Sequence, residues 1–386
     1  MKKIKIGLFV DNNLIEIDGV VAVVKNYAKN LMKYGEVVVV TPTSNKKFNL
    51  EKFPYRVIEV KSINVPVAKL RLAVPELDPK IVDELAEEKF DVVHIHSPFS
   101  IGKLGIKVAK KLGVPVIGTM HTQFKFEFLK YTKSETVSNL MIKEVVKVYS
   151  LCDECWAVNS DTADVYKRYG YKKEVKVMPN ATDMELSKGY DVVCSSINKM
   201  YDLDEDVPVL LFVGRINEVK NIFFIEEVLK ELKKRKIKYK MLFVGAGPDL
   251  EKLKKQISDD NLNSNIIFCG SIRDRELLKK IYMRSTLLMF PSLFDTSSLV
   301  QIEASSQKTP TIFIKGSVTS ETITPEVNGF VAENNINKFT DKVIEILENK
   351  EKYEKVSKNA YRQLYVNWKT IVSRAYKNYL KIIDNK

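Results

Sequence analysis

Apolar residues in this chain gather into short unbroken runs, separated by longer stretches with helical spacing. In the first half the runs are Ile4–Val10, Val37–Thr41, Val57–Val60, Val92–Ile95, Val114–Thr119, Cys155–Val158 and Val175–Met178. Strands covered on both faces read this way, because neither face alternates with polar residues. Between them, Val20–Lys33 sets Val20, Val23, Val24, Tyr27, Ala28 and Leu31 on one helical face. The second half repeats the style with Val209–Val213, Lys240–Val244, Ile266–Cys269, Leu287–Phe290 and Thr311–Ile314. Strand–helix alternation with right-handed crossovers predicts an α/β protein with a doubly wound parallel sheet in each half. Residues 183–207 break the pattern: they are polar, carry the acidic cluster Asp202-Leu-Asp-Glu-Asp206, and are expected to link two domains. Lys369–Ile383 reads as an amphipathic helix.

A chain of 386 residues suits two such cores better than one. Its apolar runs fall far short of the roughly 20 residues that cross a bilayer. The Met1-Lys-Lys start precedes an apolar stretch that ends at Asp11, which is better read as a first buried strand than a leader. These features lead us to expect a cytoplasmic protein. The net charge of +13 points to an anionic substrate, an anionic membrane surface or nucleic acid. No nucleic-acid-binding module accompanies it. Cys152 and Cys155 form a C-x-x-C with no second pair, and the chain has only three His, so zinc is not expected and the thiols read as structural. The Asp-x-Asp of the acidic cluster reads as a solvated turn rather than a metal site.

In an open parallel sheet, ligands sit beyond the carboxyl ends of strands, and the chemistry-bearing residues fall there. Gly214-Arg215 follows one run, with Lys220 at a helix start. A planar guanidinium and a compact ammonium together suit a diphosphate and can stabilise it as a leaving group. Asp295 and Glu303 stand eight positions apart in a strand–loop–helix context and suit sugar and ribose hydroxyls. Gly245-Ala-Gly-Pro248 is a short Gly-rich turn that lets backbone approach a nucleotide, and Arg273 is placed to border its base. Asp18-Gly19-Val20 is expected to offer helix N-terminal amides to a phosphate. His121 ends a strand in the first half, and His96-Ser97-Pro98 is expected to shape an acceptor pocket. Phe124, Phe126, Phe128 and Tyr131 follow, equally compatible with buried packing and with a lipid or sugar site. Ile225–Lys240 reads as a basic amphipathic helix, more in keeping with a solvated sheet-covering helix than with a membrane anchor.

Taken together, Gly214-Arg215…Lys220, Gly245-Ala-Gly-Pro248, Asp295…Glu303 and Asn328-Gly-Phe330 resemble the retaining glycosyltransferases of family four over nearly the whole chain. The resemblance implies a GT-B fold, with two Rossmann-like doubly wound domains facing across a cleft. It implies residues 1–190 as an acceptor-binding domain, 205–365 as a nucleotide-sugar-binding domain, and 366–386 as a helix crossing back to the first. It implies that Arg215 and Lys220 bind the diphosphate, Glu303 the ribose, and Gly19 a phosphate. His121 would lie near the donor sugar. The loop Thr296, Ser297, Ser298 and Leu299 would meet sugar and phosphate through its amides. No metal or resident cofactor is implied; the UDP-sugar is a substrate.

Three positions depart from the family pattern. Asp295 stands where a Glu is usual, Asp-Thr-Ser-Ser replaces Glu-Pro-Phe-Gly, and Asn180-Ala-Thr-Asp183 replaces Asn-Gly-x-Asp, so the sugar does not carry over. His94-Ile-His-Ser-Pro-Phe-Ser-Ile-Gly102 and Gly118-Thr-Met-His-Thr-Gln123 are most similar to diacylglycerol glucosyltransferases. The expected activity is therefore retaining transfer of a hexose from a UDP-sugar to an acceptor hydroxyl, with a membrane lipid such as diacylglycerol as the leading acceptor. The protein would then sit peripherally on the inner face of the plasma membrane. The alternatives are a cell-envelope glycan or lipid-linked sugar as acceptor, and nucleotide-sugar binding without turnover.

Overall fold

The computed structural model describes residues 2–16, 18–44, 49–65, 70–293, 295 and 298–386. The chain divides into two units, residues 1–180 with 368–386, and residues 181–367. In the first unit the strands are β1 (Ile4–Phe9), β2 (Gly35–Pro42), β3 (Arg56–Val60), β4 (Ser62–Val65), β5 (Leu70–Ala73), β6 (Val92–Ile95), β7 (Val116–Met120), β8 (Glu154–Ala157) and β9 (Val175–Val177). Seven form one parallel sheet in the order β3-β2-β1-β6-β7-β8-β9. The chain steps outward from β1, returns, and steps outward again from β6, so the switch point lies between β1 and β6, where Leu8 pairs with His94. The antiparallel hairpin of β4 and β5 was not anticipated from the sequence. Its short strands are too near β3 to stand out as separate runs.

The second unit contains β10 (Val209–Val213), β11 (Lys240–Val244), β12 (Ile266–Gly270), β13 (Leu287–Phe290), β14 (Thr311–Ile314) and β15 (Phe330–Ala332). All pair in parallel in the order β12-β11-β10-β13-β14-β15, with the switch point between β10 and β13. Both sheets are doubly wound as expected, and both carry apolar clusters on their strands and covering helices. Full burial of Val209–Phe212 and Leu287–Met289 explains the absence of alternation in those runs.

Two expectations change. Residues 183–207 are not a plain linker: they contain the helix Tyr190–Tyr201, which buries Val193, Cys194 and Ile197 and packs on the helix Arg275–Arg284. Its apolar spacing was hidden among Asp, Ser and Lys residues. The helix proposed at 225–240 spans Ile222–Lys234 and buries Ile225, Val228, Leu229 and Leu232 against the sheet. Its outer cations are used locally, as in Arg235 with Glu231 and Lys230 with Asp260. No helix among the described residues is long and apolar enough to cross a membrane.

Candidate functional site

In the second unit, the loops after β10 and β13 meet beyond the carboxyl ends of adjacent strands. The segment after β10 continues beside the one after β11: Gly214 N–H donates to Val244 O at 3.0 Å, and Ile216 N–H to Ala246 O at 3.0 Å. A Cβ on Gly245 would lie 1.9 Å from Gly214 O, and one on Gly247 would lie 2.0 Å from Ile216 O. These glycines are therefore required by backbone meeting backbone, a reason the sequence did not reveal. The chain then turns through Glu218–Lys220, where Asn217 Oδ1 accepts Lys220 N–H at 3.2 Å. Asn221 adopts a left-handed conformation and donates Nδ2–H to Pro291 O at 3.2 Å, tying this turn to the start of the β13 loop.

That tie brings Lys220 and Asp295 together as an ion pair, with Lys220 Nζ also 5.5 Å from the centre of the Phe290 ring. Asp295 Oδ2 is buried and has no hydrogen-bond partner among the described residues. Arg215 is exposed, and no carboxylate pairs with it among the described residues. Ser298 is buried and caps the helix Leu299–Ser306, its Oγ accepting Gln301 N–H at 3.1 Å. Thr296 and Ser297 lie outside the described residues.

Glu303 sits one turn along that helix, only 8% exposed. Its Oε1 accepts from Arg275 Nη1 at 2.6 Å and its Oε2 from the Tyr282 hydroxyl at 2.9 Å. Arg275 also donates Nη2–H to Asp183 at 2.6 Å. Burial works against the Arg275 charge, but Glu303 and Asp183 outweigh it and raise its pKa. Burial, then Glu303, holds the Tyr282 hydroxyl protonated. Arg275, Tyr282 and Asp183 thus fix the Glu303 carboxylate from behind. Arg273 is exposed just beyond β12, in the turn before the helix Arg275–Arg284.

In the first unit, Asp18 caps the helix Gly19–Leu31, its Oδ1 accepting Val20 N–H at 2.8 Å and Val21 N–H at 3.2 Å. The Val20 amide, expected to face a phosphate, is thus already bonded, which narrows that expectation to Gly19. A Cβ on Gly19 would meet nothing within 4 Å. Burial first, then the Asp18 charge, raises the pKa of both Glu16 and Glu127. Beyond β6, Ser97 Oγ donates to Asp11 Oδ2 at 2.8 Å, while Asp11 Oδ1 accepts Ile101 N–H at 2.8 Å. Burial raises the Asp11 pKa against these hydrogen bonds.

The three histidines of the chain converge here. His94 on β6 contacts the Tyr379 hydroxyl through Nδ1 at 2.6 Å and Thr119 Oγ1 through Nε2 at 2.6 Å. His96 Nδ1 lies 3.0 Å from His121 Nε2, and the His94 and His96 rings are 4.1 Å apart. All three are buried, and burial lowers their pKa values, that of His121 to about 3. They are therefore neutral at ordinary pH. Tyr379 arrives on the helix Trp368–Asp384, which no spacing argument could connect to His94.

The aromatic segment splits into two roles. Phe124 and Phe128 stack on each other and meet Phe99 edge-on, whereas Phe126 and Tyr131 are exposed. Cys152 and Cys155 are buried structural thiols.

Comparison with known proteins fits this arrangement. Residues 17–186 match the family model described as Glycosyltransferase Family 4, and residues 195–363 match Glycosyl transferases group 1. The alpha-monoglucosyldiacylglycerol synthase of Acholeplasma laidlawii is 26% identical over 98% of this chain and 98% of its own length. That of Streptococcus pneumoniae is 25% identical over 80% of this chain and 70% of its own length. Among solved structures, Anabaena Alr3699/HepE in complex with UDP superposes with a TM-score of 0.79 at 16% identity, covering 97% of this chain and 99% of that one. Sucrose-phosphate synthase from Thermosynechococcus elongatus gives 0.79 at 18% identity, with both chains covered in full. With two Rossmann-like parallel-sheet units and family matches running through both, the chain belongs to the family-four glycosyltransferases of GT-B fold.

Proposed function

We propose that this glycosyltransferase moves a hexose from a UDP-sugar to the hydroxyl of a diacylglycerol-type membrane lipid, with retention at the anomeric carbon. The observation that carries this reading is the Lys220–Asp295 ion pair beside the switch point of the second unit, with a rigidly held Glu303 on the helix that follows the same loop. Arg215 and Lys220 would grip the diphosphate, and Glu303 would clasp the ribose. A sugar hydroxyl would satisfy the buried Asp295 Oδ2. The acceptor oxygen bonds to the anomeric carbon as the bond from that carbon to the diphosphate oxygen breaks. UDP departs with its new charge against the two cations, and the acceptor proton passes to the departing phosphate.

Two observations support a lipid acceptor. The relatives just described are named as diacylglycerol-directed synthases. The helices Phe124–Thr132 and Glu135–Ser150 expose Phe126, Leu129, Tyr131, Val137, Leu140 and Met141, with Tyr131 66% and Leu140 57% exposed. Lys125, Lys130, Lys133, Lys143 and Lys147 are interleaved with them. An apolar surface studded with lysines suits the interface of an anionic bilayer.

The test incubates the protein with radiolabelled UDP-glucose, UDP-galactose or GDP-mannose and vesicles of diacylglycerol with phosphatidylglycerol. Chromatography and NMR then identify the product and its anomer. An α-linked glycolipid is expected from a UDP-sugar. Transfer only to an undecaprenyl-linked sugar would reassign the acceptor. Absence of both transfer and thermal stabilisation by UDP would sink the reading.

A further inference from the structure

His96 and His121 lie with Nδ1 and Nε2 3.0 Å apart, and both rings are neutral and buried. One ring must therefore donate the single proton of this contact. His96 Nε2 is buried and has no partner among the described residues. If His121 Nε2 carried the proton, His96 would accept at Nδ1. Its own proton would then sit on Nε2 as a buried N–H with nothing to receive it. If His96 carries its proton on Nδ1, only a lone pair at Nε2 goes unused. Orphaned buried N–H groups are the rarer and costlier defect. The second arrangement therefore wins.

We infer that His96 is a positioning residue that donates Nδ1–H to His121 Nε2 and thereby holds His121 as the tautomer protonated on Nδ1. His121 then presents Nδ1 as a donor and cannot act through Nε2. The pair needs rigid rings, and the surroundings supply them. Tyr27 meets the His94 and His96 rings edge-to-face at 5.8 and 5.5 Å, and Trp368 packs on Tyr27 at 5.7 Å. His94 is fixed independently by Tyr379 and Thr119, so it does not compete for the His96 proton. The catalytic consequence rests on the reading that His121 acts in sugar transfer; the tautomer itself does not.

The experiment is nitrogen NMR of the full chain with isotope-labelled histidine, in which three side chains give a fully resolvable spectrum. The expected result is His121 protonated on Nδ1 in the unmodified protein. His96→Gln removes the Nδ1–H donor and should shift His121 towards the other tautomer. His96→Asn can offer an amide N–H near the original Nδ1 and should restore it. A wild-type His121 protonated on Nε2, with His96 Nε2–H turned to the Tyr27 ring, overturns the proposal. So does a His121 tautomer indifferent to His96→Gln.

Transfer is measured in parallel. His96→Gln should lower kcat about tenfold, the factor one such hydrogen bond is worth, with KM for the donor nearly unchanged. A rise in KM with kcat intact overturns the positioning role. If the NMR result holds while wild-type protein transfers no sugar, the transferase reading fails and the tautomer assignment stands.

Discussion

Arg275→Met tests how the Glu303 carboxylate is held. Arg275 donates to Glu303 at 2.6 Å, and Glu303 is 8% exposed, so removing the cation leaves a nearly buried carboxylate with Tyr282 as its remaining partner among the described residues. The Arg275 side chain is itself 44% exposed, so water screens part of the interaction. A fully buried pair broken on one side costs about 3–5 kcal/mol. An exposed pair contributes about 0.2–1 kcal/mol. A hydrogen bond to a charged group in between is worth about 1.5–3 kcal/mol. Taking the lower end gives a fall in Tm of about 3–6 °C for a unit of this size. The double variant with Glu303→Gln should be less destabilised than the two singles summed, with a coupling of about 1–2 kcal/mol. Thermal unfolding with and without UDP reads both effects, and stabilisation by UDP should shrink in Arg275→Met. Strict additivity, together with an unchanged response to UDP, would refute the reasoning.

Gly19→Ala and Gly245→Ala separate a functional glycine from a structural one. The first meets open space at a helix start, so stability should be unchanged or slightly raised while KM for the donor increases; the second drives a Cβ into the Gly214 carbonyl and should lower Tm markedly. Equal loss of stability in both would contradict this assignment. Acid sensitivity follows from the neutral histidines. Their folded pKa values lie below the ordinary 6.5, so the unfolded chain binds protons first. Their stabilising effect is complete above that value and is lost as pH falls through it, each histidine costing up to about 1.4 kcal/mol per pH unit. His121→Asn should remove about a third of the histidine contribution to the slope of Tm against pH between roughly 6.5 and 5; an unchanged slope would show that His121 is not held neutral.

The strands of both sheets were legible because continuous burial leaves a mark that needs no partner to read. The runs Val209–Val213 and Leu287–Phe290 mark β10 and β13. The placement of Arg215, Lys220 and Asp295 in the segments beyond strand carboxyl ends, where ligands of such sheets bind, was legible as well. What escaped depends on pairs far apart in sequence. Lys220 was read toward a diphosphate and Asp295 toward sugar hydroxyls, without sign that the Asn221–Pro291 contact brings the two together. Arg275 was not singled out in the sequence, because its meaning comes only from Glu303 and Asp183. Gly245 suggested a nucleotide, and nothing in the sequence signalled that a neighbouring main chain also requires a glycine there. The helix Tyr190–Tyr201 was masked by its polar face, since only one stripe of it is buried.

The last helix carries a consequence for how the protein is made. Tyr376 and Tyr379 complete the interior of the unit whose strands emerge first from the ribosome, with Tyr379 stacked on Trp156 and bonded to His94. That unit must wait, unfinished, while the entire second unit is translated. Nascent chains stalled before Trp368 should therefore be cut readily by protease within their first half, and release of the final helix should end that vulnerability.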